Sequence, residues 1–129
     1  MRIEHLALNV HHPAELAGWL CEHLGMRILR QSGDPPTAFF VADAGGHTVL
    51  ELYANPGADI PDYVAMNPMT LHLAFLADDV AAVRERLLTA GAAPEGEVVQ
   101  TPEGDELAMV RGPSGLAIQL MKRKDPMVE

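Results

Sequence analysis

Apolar and polar residues alternate along residues 3–10, with Leu6, Leu8 and Val10 on one side and His5, Ala7 and Asn9 on the other. That period of two predicts a strand. His11-His12-Pro13 interrupts it, and Pro13 suits the first turn of a helix, where its missing N–H would go unpaired anyway. Leu16, Trp19, Leu20 and Leu24 then recur at helical spacing, and Gly25 is placed to close the helix in a left-handed cap. Residues 26–30 read as a short strand, 31–36 as a surface loop by their turn chemistry, and 37–42 as a returning strand. After a hairpin turn at Asp43-Ala44-Gly45-Gly46, residues 47–53 form a fourth strand, with Val49, Glu51 and Tyr53 on one face and Leu50 and Leu52 on the other. Glu51 is thus a carboxylate in mid-strand.

The pattern then starts again. Residues 54–68 carry Asn55, Pro56, Gly57, Pro61 and Pro68 and read as a linker without helix or strand. Residues 70–76 alternate as the opening strand does, with Leu71, Leu73 and Phe75 on one face and His72 and Ala74 on the other. Asp78-Asp79 can cap a helix whose core stripe is Val80, Val83, Leu87 and Ala90, with Gly91 at its end. Strands follow at 97–101, 107–111 and 116–121, separated by turns at 102–105 and 112–115. The correspondence reaches individual residues: His5-Leu6-Ala7 is answered by His72-Leu73-Ala74, and Val49-Leu50-Glu51-Leu52 by Ala117-Ile118-Gln119-Leu120. Self-similarity on this scale predicts an α+β fold of two modules, each strand, helix, strand, strand, strand. The first covers 1–66 with its linker and the second 67–129, together one domain. One helix covers one face of each sheet, so two copies can curl around the other face and make a cleft. His5, Glu51, His72 and Gln119 fall on that second face.

Composition narrows the partners. The 129 residues include 18 acidic and 9 basic ones, a formal net charge of −9. Such a surface repels phosphate backbones and anionic lipid, which argues against nucleic acid and membrane and favours a small molecule, a cationic one if charge selects it. Cys21 is the single cysteine, so thiolate metal clusters and internal disulfides are excluded. The first thirty residues lack the roughly 7–15-residue apolar run of a signal peptide, and nothing approaches the ~20 apolar residues of a membrane span. These features point to a cytoplasmic protein.

A histidine in a strand is more often a structural residue than a ligand. Glu51 is different, because a carboxylate between two leucines needs a cation, a hydrogen-bond network or water. The duplication sets two imidazoles in equivalent places and a carboxylate opposite an amide, which favours a metal site over four unrelated residues. His11, His12, His23 and His47 fall in turns or on a helix surface and are expected to be solvated. Arg84-Glu85-Arg86 is expected to be an exposed helix face, and the methionines core filler. No serine-centred elbow, phosphate loop or dinucleotide fingerprint is present.

With these residues in view, the sequence resembles the vicinal oxygen chelate superfamily, the group of glyoxalase I, bleomycin resistance proteins and extradiol dioxygenases. The resemblance is carried by residues 3–8, 23–30 and 49–53, by Leu71-His72-Leu73-Ala74, and by residues 112–120, so it spans nearly the whole chain. It implies paired βαβββ modules forming an incomplete barrel around a cleft. It is most similar to bacterial glyoxalase I, which implies metal ligands at His5, Glu51, His72 and Gln119. It also implies a homodimer in which His5 and Glu51 of one chain meet His72 and Gln119 of the other. Glyoxalase I has glutamate at the last position, and the amide here can bind a metal but cannot take a proton near neutral pH. The implied activity is that of a metal-dependent, lactoylglutathione-lyase-like lyase or isomerase acting on a small substrate with vicinal oxygens, with Glu51 moving the proton. The donors are all N or O, so the candidate cofactors are Ni, Co, Zn, Mn or Fe(II). Tyr53, Phe39 and Met109 are expected to line the substrate pocket. The alternatives within the group are a bleomycin-resistance-like protein that sequesters a small molecule without chemistry, and an Fe(II) extradiol-type dioxygenase using His5, His72 and a carboxylate.

Overall fold

A computed structural model describes residues 1–128 of the chain; Glu129, the end of the expected second module, lies outside the described residues. The chain divides into two compact units, Met1–Asp62 and Tyr63–Glu129. In the first, β1 (Leu6–Asn9), α1 (Pro13–Leu24), β2 (Arg27–Gly33), β3 (Pro36–Ala42) and β4 (Val49–Tyr53) follow the predicted order. The four strands form one sheet in the order β1-β4-β3-β2, with β1 parallel to β4 and the remaining pairs antiparallel. Pro13 opens α1 and Gly25 closes it in the left-handed conformation at φ 68°, its N–H reaching the Leu20 carbonyl. Leu16, Ala17 and Leu20 are fully buried, as are Val41 and Leu52 on the sheet face that α1 covers. The strand from Arg27 runs on to Gly33, through residues whose turn chemistry suggests a loop. As the sheet's outer strand, β2 is exposed along its whole length, so it needs no apolar alternation to announce itself.

The second unit repeats the plan with β5 (Leu73–Leu76), α2 (Val80–Thr89), β6 (Ala93–Gln100), β7 (Glu106–Arg111) and β8 (Ala117–Lys122), in the sheet order β5-β8-β7-β6. Each unit is therefore a βαβββ module, and the α+β reading holds. The registers match as well: Ala7 stands beside Glu51 on the neighbouring parallel strand, and Ala74 stands beside Gln119. Asp79 caps α2 by accepting a hydrogen bond from the Ala82 N–H at 2.9 Å, which satisfies one of the first-turn donors that have no partner inside the helix. The expectation of an exposed Arg84 is corrected, since Arg84 lies on the buried side of α2 between Val80 and Leu87. Its Nη2 donates to the Gly96 carbonyl at 3.1 Å and lies 3.5 Å from a Glu97 oxygen, so the guanidinium fastens α2 to β6.

Residues 54–68 contain neither helix nor strand, and two polar side chains hold them in place. Buried Asn9 takes the first half: its Nδ2 donates to the carbonyls of Asn55, Ala58 and Asp59, and its Oδ1 accepts from the Asn55 N–H at 2.8 Å. Arg111 takes the second half. Its Nη1 donates to the carbonyls of Tyr63 at 2.8 Å and Gly115 at 3.1 Å, its Nη2 to that of Met66 at 2.9 Å, and its Nε to Glu95 at 3.2 Å. Residues 63–66 thereby belong with the second unit. Gly115 completes the seat. At φ +82° it lies so close under Val64 that an added Cβ would sit 2.7 Å from the Val64 Cα, which no side chain tolerates without movement.

The far end of the second module is fixed by charge. The Asp105 carboxylate accepts from the Lys124 N–H at 2.9 Å and from Arg123 at 2.7 Å. The backbone N–H bond, reinforced by the Arg123 guanidinium, holds its pKa below the usual carboxylate value.

Candidate functional site

In the first module the face opposite α1 carries Ala7, Phe40, Glu51 and Tyr53, because Glu51 pairs with Ala7 on one side and Phe40 on the other. Glu51 occupies the middle of β4 between the buried Leu50 and Leu52, and the pleat turns its side chain away from them. His5 immediately precedes β1. Its Nε2 lies 3.2 Å from Glu51 Oε2, with 33% of the imidazole and 25% of the carboxylate side chain still open to solvent. A ligand can therefore reach both. The Nδ1 of the same ring is hydrogen-bonded to the Glu4 carboxylate, and the Phe40 ring meets the imidazole edge-on at a centroid distance of 5.5 Å.

His5 is thus set between two acids. Its pKa is raised, chiefly by the hydrogen bond to Glu4, against a smaller opposing effect of desolvation, and further by the charges of Glu4 and Glu51. A cation entering at Nε2 has to displace the proton there, so such binding would strengthen as pH rises.

The second module has residues at the equivalent places. His72 precedes β5 as His5 precedes β1, and Gln119 takes in β8 the place of Glu51 in β4, paired with Ala74 and Met109. His72 Nδ1 is 2.8 Å from the Pro68 carbonyl oxygen. A carbonyl only accepts, so this nitrogen carries a hydrogen, which in the neutral tautomer leaves the lone pair on Nε2. His72 and Gln119 are both half-buried. Among the described residues, no group of three or more His, Cys, Asp or Glu side chains is disposed to hold a metal ion. Each module offers an imidazole with one oxygen donor: the donor chemistry fits a divalent cation of the N- and O-preferring kind, but the set in one module is incomplete.

The three residues expected to line a pocket divide. Tyr53 shares the Glu51 face and Met109 the Gln119 face. Phe39 does not join them: it is 6% exposed, stands opposite Leu52, and belongs to the side that α1 covers. Its neighbour Phe40 is the aromatic residue beside Glu51 and His5, and Glu4 is a further residue of the site that strand patterning does not single out. The Cys21 thiol is raised above its ordinary pKa by burial, against a smaller effect of a backbone hydrogen bond at Ile28, so it is a poor nucleophile.

Comparison with known proteins places this geometry. Residues 2–120 match the family model described as Glyoxalase/Bleomycin resistance protein/Dioxygenase superfamily. A glyoxalase family protein from Bacillus cereus superimposes with a TM-score of 0.78 over 95% of this chain and 93% of its own, at 20% identity. A member of the same superfamily from Sphaerobacter thermophilus gives a TM-score of 0.72 over 95% and 98%, at 15% identity. An antibiotic binding protein from a Streptomyces species gives 0.68 over 96% and 99%, at 26% identity. No match is found among curated proteins. No helix among the described residues is long and apolar enough to cross a membrane.

Proposed function

Because the chain belongs to the Glyoxalase/Bleomycin resistance protein/Dioxygenase superfamily, we propose that it holds a divalent cation with His5, Glu51, His72 and Gln119 and acts as a lyase or isomerase on a small substrate with vicinal oxygens. The observation that carries this reading is the half-site of the first module, where His5 Nε2 and Glu51 Oε2 face each other at 3.2 Å. The second module has an imidazole and an amide oxygen at the equivalent places. A homodimer that pools His5 and Glu51 of one copy with His72 and Gln119 of the other would complete the set; no group of three His, Cys, Asp or Glu stands ready among the described residues of one chain.

The chemistry that such a cation supplies when bound is Lewis acidity toward two neighbouring substrate oxygens, which acidifies the C–H bond beside them. The protein's part is to move the proton. Glu51 is the one carboxylate of the four and can take a proton from carbon and return it to the adjacent carbon. Gln119 contributes an oxygen without basicity. Two neutral imidazoles, one carboxylate and one amide leave a net charge of about +1 on a dication, which favours anionic or enediolate-like ligands. Phe40, Tyr53 and Met109 line the faces that carry these groups.

Stripping the protein with a chelator and then adding Ni, Co, Zn, Mn or Fe(II) tests the reading through hemithioacetal isomerisation and related proton transfers. Activity should vanish with the chelator and return with at least one ion; turnover indifferent to chelation would overturn it. The 26% identical antibiotic binding protein and the net charge of −9 favour one second reading, capture of a cationic molecule without chemistry. Calorimetry with cationic glycopeptides separates the two, because tight binding that survives both chelation and His5→Ala belongs to capture alone.

A further inference from the structure

Both histidines of the candidate site have one ring nitrogen committed to the protein, and it is the same nitrogen. His72 Nδ1 is hydrogen-bonded to the Pro68 carbonyl at 2.8 Å, and His5 Nδ1 to the Glu4 carboxylate. Neither the carbonyl nor an ionised carboxylate donates, so Nδ1 carries a hydrogen in each ring, and in His5 the further hydrogen that Nε2 turns toward Glu51 is the one an entering ion displaces. The remaining nitrogen of His5, Nε2, points at Glu51 Oε2 across 3.2 Å. A ligating histidine needs its second nitrogen held this way, because the outer acceptor fixes both the tautomer and the plane of the ring and raises the basicity of the ligating atom.

We propose that Glu4 is a positioning residue of the metal site, acting through His5. This rests on the reading given above. Glu4 holds Nδ1–H of His5 as the Pro68 carbonyl holds that of His72, with one difference in strength. The acceptor at His5 is a full negative charge and the acceptor at His72 a neutral dipole, which makes His5 the stronger donor of the pair. The Glu4 side chain is 82% exposed, so water screens part of that advantage and the effect belongs at the lower end of what outer partners contribute. Glu4 itself touches neither substrate nor ion. Its neighbours along the chain, Ile3 at 86% exposure and Arg2, contribute nothing to the core, so removing its carboxylate costs the core no packing.

The test uses full-length protein in two measurements. In the first, zinc affinity is measured by competition with a chromophoric chelator for wild type, Glu4→Gln and Glu4→Ala. Glu4→Ala should weaken binding about 10-fold. Glu4→Gln should weaken it less, because its amide oxygen still accepts from Nδ1–H, and at a pH where His5 is neutral the melting temperature should not move in either variant. In the second, long-range nitrogen–proton NMR of the metal-free protein, at a pH where the imidazoles are neutral, reads the tautomer directly. Wild type should show Nδ1–H at both His5 and His72, and Glu4→Ala should lose that preference at His5 alone. A His5 ring that carries its hydrogen on Nε2 in wild type, or an unchanged tautomer and zinc affinity in Glu4→Ala, overturns the proposal. Because the tautomer is read without metal, a protein that binds no zinc counts against the metal reading while the NMR result still decides the role of Glu4.

Discussion

Replacing Glu51 by Gln is expected to lower kcat for proton transfer by about 10²- to 10⁴-fold, the usual cost of losing a positioned general base. The substitution keeps the shape and an oxygen donor but removes the only carboxylate of the four candidate ligands, so the chain would have two amides and no base. Stability should barely change: the Glu51 side chain packs against neither Leu50 nor Leu52, which face the other way, and its close partner is the His5 imidazole. Gln119→Glu makes the informative partner variant. It adds a second carboxylate at the equivalent place in β8, and if one base is what limits the rate, it should raise kcat. Steady-state kinetics of both variants, with melting temperatures alongside, checks the assignment; a Glu51→Gln protein with wild-type kcat would remove Glu51 from the chemistry.

The largest effect on stability is expected at Arg111. Arg111→Met keeps the unbranched apolar stem but leaves the Tyr63, Met66 and Gly115 carbonyls and the Glu95 carboxylate without their donor. The Arg111 side chain is only 13% exposed, so water cannot fully replace it. A loss of about 3 kcal/mol follows from breaking a buried, hydrogen-bonded charge, with a fall of roughly 10 °C in Tm for a domain of this size. Arg111→Lys should recover little of it, because one ammonium is a point donor and cannot reach three carbonyls set around a planar fork. Denaturant unfolding of the three proteins measures this, and a loss below about 0.5 kcal/mol, the range of ordinary surface substitutions, would mean that the linker is held by something else.

The duplicated plan was readable because each module writes it in period: two along the inner strands, about three and a half along the helices, with Gly25 and Asp79 at helix ends. The equivalence of His5 with His72 and of Glu51 with Gln119 was readable for the same reason, and the two parallel registers agree with it. Outer strands were read short, because β2 is exposed on both faces and offers no alternation over its last residues. Phe39 and Phe40 could not be told apart by composition. Which of them faces Glu51 depends on how many residues the hairpin between β3 and β4 consumes, and a shift of one flips every side chain. Arg84 and Arg111 were missed for one shared reason. Their charge suggests solvent, but the Gly96 carbonyl takes Nη2 of Arg84 and the Tyr63 and Met66 carbonyls take the nitrogens of Arg111, although Arg84 Nε finds no hydrogen-bond partner among the described residues. Asn9 was placed on the polar face correctly, yet nothing local announces that it binds backbone some fifty positions along the chain.

The central claim is that the two imidazoles, the carboxylate and the amide serve one ion. Crystals grown without chelator and soaked in Co(II) or Ni(II), measured on either side of the metal's absorption edge, address it directly. The account predicts a single strong anomalous peak about 2.1 Å from His5 Nε2 and from a Glu51 oxygen, with His72 Nε2 and the Gln119 oxygen completing the shell. A peak bound elsewhere, or none while His5 keeps Glu51 as its only partner at Nε2, would contradict it.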